Sequence, residues 1–451
     1  MSTNIGDNMR VVDSIPLDVG EGESITFDKK ISSKVNTATH SLHEYPAKFI
    51  PEFPKFALKY SSLKKGLVFD PFNGSGTTLL EAKLVGLDGV GVDINPIAKL
   101  ITDAKTKIDT ESELEKLILD FKSIMDVSKS MERPDLSIQH HDIDIMNNFD
   151  FWFPIECLQD IIVLKRCIAQ TPMRSNHSIS FFSVILSSIV KSVSYWDKRQ
   201  IKVRKNPNKF DKSGIPDTRD LFKQKVDQGF ESIRDLLRLL KGKRTSSQEV
   251  NIGSSVEYCP KGIDLIITSP PYINAIDYTM VHKFSLFILD LITPSEFKDH
   301  CREYIGMTER AVRVAERQKV KRFTPDENGK LHETYSLINN YLDLIGQDES
   351  VTSQVREYIT YTYFRDMEKS ISLWYQSLKS NRLCFAVIGP NEIRNVPVPT
   401  HEIIRDLMAK NGFVIERTFY HVIHSRAVQT GRNDNAGIIE DEMVIIARKV
   451  S

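Results

Sequence analysis

Residues 66–101 read GLVFDPFNGSGTTLLEAKLVGLDGVGVDINPIAKLI, and this stretch decides the fold. Leu67 to Asp70 is a short apolar run that ends on an acid, the pattern of a strand buried on both faces. Gly74 and Gly76 then allow a sharp turn and close approach of a ligand to the backbone. Thr77 to Val85 has helical spacing, and Gly89 to Asp93 is a second apolar run. Strand, turn, helix and strand in this order form a β-α-β unit, the start of a parallel, doubly wound sheet.

The pattern extends outward from there. YPAKFIPEFPKFALKY, from Tyr45, places proline at a helix entry ahead of apolar residues at helical spacing. Residues 106–250 carry several amphipathic helical segments, such as LEKLILDFKSIM and IRDLLRLLKG, and are read as a helical insertion. GIDLIITSPPY, from Gly262, is another buried strand that ends in a rigid turn. Residues 291–360 read as helices with a polar loop near 325–330, a second insertion. RLCFAVIG, FVIERTFYHVI and DEMVIIARK are three strand-like runs, with the helix THEIIRDLMAKNG between the first two. They suit the C-terminal half of the same sheet, with an antiparallel hairpin at its edge. The expected divisions are a loose arm at 1–35, a ligand-binding half at 36–105, the insertion at 106–250, a catalytic region at 251–290, the second insertion at 291–360 and a closing half-sheet at 361–451. The fold class is therefore α/β, a doubly wound, mostly parallel sheet with large helical insertions.

Composition bounds the function only loosely. The chain is 41% hydrophobic and 27% charged, which suits a globular protein with a sizeable core. It has no apolar run long enough for a membrane span and no signal-peptide pattern at its start, so a cytoplasmic protein is expected. Its five cysteines show no CxxC or Cys/His spacing, and no metal site is expected. Sixty basic and sixty acidic residues cancel, which neither announces nor excludes a nucleic-acid partner, because such binding uses local patches. One patch runs from Lys191 to Lys212, where eight lysines and arginines face two aspartates, with Tyr195, Trp196 and Phe210 interleaved. Lys198, Arg199, Lys202, Arg204, Lys205 and Lys209 are its candidate phosphate contacts, against the alternative of a solvated loop. Arg310 to Arg322 is a second basic stretch.

The turn DPFNGSGTT at 70–78 offers Asp70, Pro71, Phe72, Asn73, Gly74, Ser75, Gly76, Thr77 and Thr78 as ligand contacts. It is not a phosphate loop, because no Gly-Lys-Ser/Thr follows, and it does not complete a GxGxxG pattern. Asp93 ends the next strand and is followed by Ile94 and Asn95. A carboxylate there accepts hydrogen bonds from both ribose hydroxyls of an adenosine. Asp70 is placed to face an ammonium group. Together they suit a nucleoside that carries a charged amino acid.

Thr268-Ser269-Pro270-Pro271-Tyr272 follows the strand DLIIT. Two prolines in series fix the backbone and remove two donors. An exocyclic amino group on a nucleobase is a poor nucleophile, since its lone pair is delocalised into the ring. Acceptors around its two hydrogens favour a pyramidal nitrogen. The Ser269 hydroxyl and the Pro270 carbonyl are the candidate acceptors, held by Pro271. Tyr272 offers an aromatic face for an extruded base.

DPFNGSGTT, GVDINP and TSPPY resemble motifs I, II and IV of the bacterial amino-methyltransferases of DNA, and TSPPY resembles the cytosine-N4 branch. The resemblance implies a class I, Rossmann-like methyltransferase fold, with S-adenosylmethionine as cofactor and double-stranded DNA as substrate. It implies methyl transfer to cytosine N4 by base flipping, and a separately encoded restriction endonuclease as partner. HSLHEYPAKFIPEF resembles motif X, which implies that Lys48, Phe49 and Ile50 line the cofactor pocket. VNIGSSVEY at 250–258 resembles motif III, with Ser254 and Ser255 where an acid often stands; IQHHDIDIM at 138–146 competes for that role. Thr268 completes the expected cofactor contacts. Motif X and the cofactor turn precede TSPPY, as in the family's α and γ arrangements. The alternatives are adenine-N6 methylation, methylation of RNA or of a protein glutamine, and a non-enzymatic DNA-binding module. A C5-cytosine mechanism is disfavoured, because it needs a cysteine nucleophile in a Pro-Cys pair and the chain has only Cys259-Pro260.

Overall fold

The computed structural model describes residues 9–28, 37–46, 48–136, 149–197, 205, 214–273, 278–307, 309–324, 332–423 and 439–450. It begins with strands β1 (Met9–Val12) and β2 (Ser24–Phe27), followed by helix α1 (Glu52–Ser61). The deciding stretch forms β3 (Leu67–Asp70), α2 (Thr77–Leu84), β4 (Asp88–Asp93) and α3 (Pro96–Thr106), as its periodicity predicts. A helical layer follows: α4 (Glu111–Ser130), α5 (Phe149–Trp152), α6 (Ile155–Gln170), α7 (Ser178–Ile189) and α8 (Thr218–Leu240). Then come β5 (Gln248–Ile252), β6 (Ile263–Thr268), α9 (Tyr278–Ile288), α10 (Pro294–His300), α11 (His332–Gly346) and α12 (Val351–Ser377). The chain closes with β7 (Leu378–Ile388), the hairpin β8 (Asn391–Ile393) and β9 (Val396–Val398), α13 (Thr400–Lys410), β10 (Phe413–Val422) and β11 (Asp441–Lys449).

Among the described residues, nine strands make one sheet in the order β1-β2-β10-β11-β7-β6-β3-β4-β5. Every neighbouring pair is parallel except those of β11, which runs antiparallel to both β10 and β7. The chain winds one way from β3 to β4 and β5, and the other way from β6 to β7. The switch point therefore lies between β3 and β6, and a crevice opens at their carboxyl ends. Strand parity explains the two faces. Phe69 and Ile266 join one cluster under α12 and α13, while Val68, Leu265 and Ile267 join another under α1 and α2. Apolar residues on both faces are what a parallel strand covered by two helical layers requires.

The insertion at 106–250 is a helical layer inside the crossover from β4 to β5, with its own core of Phe121, Phe181, Phe182, Phe222 and Phe230. Two of its helices, α4 and α8, start on polar caps: Thr110 accepts from the Glu113 amide, and Asp217 from the amides of Arg219 and Asp220.

Three expectations change. Residues 9–28 are not a loose arm. Val19 and Ile25 are fully buried, and β2 pairs with β10 through Ser24 and Ile25. Two short strands with few apolar residues carry little periodicity, so only the partner strand reveals them. For the same reason, the β10–β11 hairpin is not the sheet edge. Thirdly, residues 291–360 are not wholly an insertion: Ile338, Leu342, Ile345, Val355 and Ile359 on α11 and α12 belong to the main core beside the sheet.

Candidate active site

Two sequence-local turns and one distant one meet at the switch point. The first follows β3. Gly76 takes φ +73° as the N-cap of α2, and a Cβ there would lie 2.3 Å from Thr102 Oγ1. Gly91 on β4 is equally constrained: a Cβ would lie 2.5 Å from Asn73 Oδ1. Glycine at these two positions lets the turn nest against α3 and β4. Lys105, fully buried, donates to the Ser75 carbonyl at 2.7 Å, and burial holds its pKa well below the usual lysine range.

Asp70 Oδ1 accepts from the Phe72 amide at 3.0 Å and from the Thr268 hydroxyl at 2.8 Å. Asp93 Oδ2 accepts from the Gly74 amide at 2.7 Å, and Oδ1 from the Asn95 amide at 2.9 Å. Burial pushes each carboxyl up to about 6, against the pull of these bonds, and the Asp70 charge adds to the rise at Asp93. Neither forms an ion pair among the described residues. Lys48, on the same cleft, donates to the His40 carbonyl at 2.6 Å, and burial lowers its pKa to about 8.

The second turn follows β5. The Gly253 amide donates to the Asp93 carbonyl at 2.9 Å, which draws Ser254 and Ser255 to the cleft wall. Ser255 Oγ is buried without a hydrogen-bond partner.

The third turn is Ser269–Tyr272, and it is held from far away. Tyr363 on α12 donates to the Pro271 carbonyl at 2.9 Å, and Asn391 donates to the Ile273 carbonyl at 3.0 Å. The Tyr272 hydroxyl donates to Glu442 Oε1 at 2.6 Å. Among the described residues, the Ser269 hydroxyl and the Pro270 carbonyl have no partner, so both remain available as acceptors.

These turns line an open cleft of about 820 Å³, its solvent-filled mouth included. Of the expected site residues, Lys48, Phe49, Asp70, Pro71, Phe72, Asn73, Gly74, Ser75, Thr77, Asp93, Ile94, Ser254, Ser269 and Pro271 line it. Gly76, Thr78, Asn95, Thr268, Pro270 and Tyr272 are not part of its lining, and the Tyr272 ring packs against the main core. Asn95 caps α3 and Thr268 orients Asp70. Ile50 packs against the core under α1 instead of facing the cleft. Tyr45, Gly253, Tyr278, Glu303, Tyr304 and Ile305 also line the cleft and were not singled out by the sequence, whereas Ser255, to which the resemblance to motif III points, lines it beside Ser254. Tyr45 lies inside the stretch at 40–53 and three residues before Lys48, a signal that could have found it. Tyr278 and residues 303–305 carry no local pattern. Of the basic patch, Lys198, Arg199, Lys202, Arg204 and Lys209 lie outside the described residues, as does 138–146. Lys205 is described: its ammonium sits 4.0 Å from the centre of the Phe151 ring and 5.0 Å from that of Tyr195.

Chemically, the cleft presents a buried carboxylate, Asp70, and a partly buried one, Asp93, neither in an ion pair among the described residues, together with a lysine and an unpartnered hydroxyl. A ligand with a diol, an ammonium, a carboxylate and a polar base edge matches that set. Beside it stand two free acceptors at the end of a rigid turn.

A family model described as DNA methylase matches residues 21–103, the stretch that holds both carboxylates. The type II methyltransferase M.MvaI of Kocuria varians is 25% identical over 88% of this chain and 86% of its own length. M.BsoBI of Geobacillus stearothermophilus, also a type II methyltransferase, is 28% identical over 59% of this chain and 56% of its own. M.MjaII of Methanocaldococcus jannaschii is 33% identical over a shorter part, 21% of this chain and 18% of its own. Among the described residues, no helix is long and apolar enough to cross a membrane.

Proposed function

We propose that this chain is a DNA amino-methyltransferase of the restriction–modification kind, as its likeness to the DNA methylase model and to type II methyltransferases supports, and that it methylates cytosine N4 in duplex DNA, at a base turned out of the helix. S-adenosylmethionine, the family's methyl donor, supplies an electrophilic methyl group when bound. Asp93 accepts from the ribose hydroxyls and Asp70 faces the ammonium. Lys48 meets the carboxylate, and Ser254 and Ser255 meet the adenine edge. The single observation that carries the reading is the pair of open acceptors at Ser269 and Pro270, on a turn tied to Asp70 through Thr268.

Ser269 Oγ and the Pro270 carbonyl accept from the two amino hydrogens of the target base and favour a nucleophilic nitrogen. The Tyr272 ring stacks on the base. No residue attacks the ring, so transfer is direct. Positioning and fixed dipoles provide most of the acceleration. The helical layer at 106–250, with the patch around Lys205, Phe151 and Tyr195, is our candidate for the surface that tracks DNA phosphates and reads the target. A separately encoded restriction endonuclease is the partner this reading expects.

Serine at 269 is the residue that favours cytosine over adenine. Nucleoside analysis of DNA treated with the protein and S-adenosylmethionine tests the choice. N4-methylcytosine is the expected product; N6-methyladenine alone would overturn it.

A further inference from the structure

Among the described residues, Tyr272 is the only member of the catalytic turn whose side chain is claimed by another part of the sheet. Its hydroxyl donates to Glu442 Oε1 at 2.6 Å, at the start of β11. Glu442 faces His421 directly across the antiparallel β10–β11 pair. His421 Nδ1 lies 3.3 Å from the second carboxylate oxygen, Oε2. The histidine is itself wedged in place. Its ring centre is 4.9 Å from that of Phe27, and 5.3 Å from that of Phe53 at an interplanar angle of 80°. Its backbone pairs with Ile25 of β2. The Glu442 side chain is only 18% exposed. Both of its oxygens are thus engaged, one by the tyrosine and one by a ring that the N-terminal strand and α1 immobilise.

We propose that Glu442 is a positioning residue, which fixes the plane of the Tyr272 ring as the stacking face for the target base while His421 holds the carboxylate. This rests on the methyl-transfer reading above. Without this tie the Tyr272 ring is held only by its packing against the main core, and a base stacked on a less firmly held ring is misplaced relative to the acceptors at Ser269 and Pro270. A misplacement of about 1 Å lowers transfer rates about a hundredfold. Burial and the neighbouring Glu442 both raise the Tyr272 pKa well above its ordinary value, so the phenol stays protonated and remains a donor. A hydrogen bond to an ionised acceptor is among the stronger ones in proteins.

A double-mutant cycle tests the tie. The variants are Tyr272→Phe, Glu442→Ala, their combination and Glu442→Gln, each assayed for methyl transfer to unmodified plasmid DNA and for cofactor affinity by calorimetry. Each single loss is expected to lower kcat about tenfold or more, with KM for DNA and cofactor affinity changed less than about threefold. The double variant should be no slower than the slower single one. Glu442→Gln keeps an acceptor and should recover most of the loss. Additive losses, a Gln variant as slow as the Ala variant, or a matching drop in cofactor affinity would each overturn the positioning role while leaving the methyl-transfer reading intact. A wild-type chain that transfers no methyl to a DNA amino group would overturn both.

Discussion

The cofactor half of the cleft and its catalytic turn are built in opposite ways. The carboxylates of Asp70 and Asp93 are set mostly by near neighbours: Phe72 and Asn95 two residues away, and Gly74 nineteen away. The catalytic turn is set by Tyr363, Asn391 and Glu442, which lie 92, 118 and 170 residues from the atoms they hold. The first is a local device that a β-α-β unit carries wherever it occurs. The second depends on closure of the whole sheet, so it is where remote substitutions reach the chemistry. Thr268, bonded to Asp70 across 198 residues, is the seam between them.

If the two halves are separable, variants should sort cleanly. Ser269→Ala or Tyr272→Ala should lower methyl transfer about a hundredfold or more, as loss of a single preorganised contact does elsewhere, with cofactor affinity by calorimetry unchanged. A parallel loss of cofactor binding would break the separation. Asp93→Ala should do the reverse. Two charge-assisted bonds to ribose are lost, each worth about 1.5–3 kcal/mol, so cofactor affinity should fall by about two to four orders of magnitude. Unchanged affinity would remove the ribose assignment.

A smaller effect follows from the carboxyls at about 6 and the lysine at about 8. Ligand binding requires both acids ionised and Lys48 charged. Affinity should therefore be greatest between pH 6 and 8, and fall as pH drops below 6, by up to about tenfold per unit for each proton displaced. Without ligand the sign reverses. Acids raised from 3.8 to about 6 weaken the folded state above pH 6, and that cost is relieved as pH falls from 6 toward 4. Opposite pH trends in cofactor affinity and in the ligand-free melting temperature are the signature; trends of the same sign would contradict it. Tyr363→Phe should then lower kcat by about fivefold, since one neutral hydrogen bond to the catalytic turn is lost. If it altered cofactor affinity instead, the turn would not be held as described. The mildest test concerns DNA. Neutralising several basic residues of 198–212 should flatten the salt dependence of binding by about one in slope for each phosphate contact removed.

The same contrast explains what could be read beforehand. The run from Leu67 to Asp93 displays its strands, helix and turn within 27 positions, because each element is stabilised by residues inside it. Residues 9–28 show no such signal: β2 exists because β10 offers it an edge, and Ile25 is buried by elements hundreds of residues later. Tyr278 and Tyr304 likewise join the cleft through packing after the catalytic turn, with no pattern of their own. In the insertion, periodicity revealed the helices, but not that they close over one aromatic core inside a single crossover.

By itself, the sequence determined the two-faced parallel strands, the glycine turn with its paired acids and the proline-fixed turn. Each follows from constraints acting within a few residues: side-chain period, positive φ and missing donors. Only the tertiary structure decided that, among the described residues, the Ser269 hydroxyl and the Pro270 carbonyl stay open while their neighbours are bonded, and that Glu442, backed by His421, reaches Tyr272. Those contacts join strands far apart in the chain, and hydrogen bonds between such residues are fixed by sheet register, which no local pattern encodes.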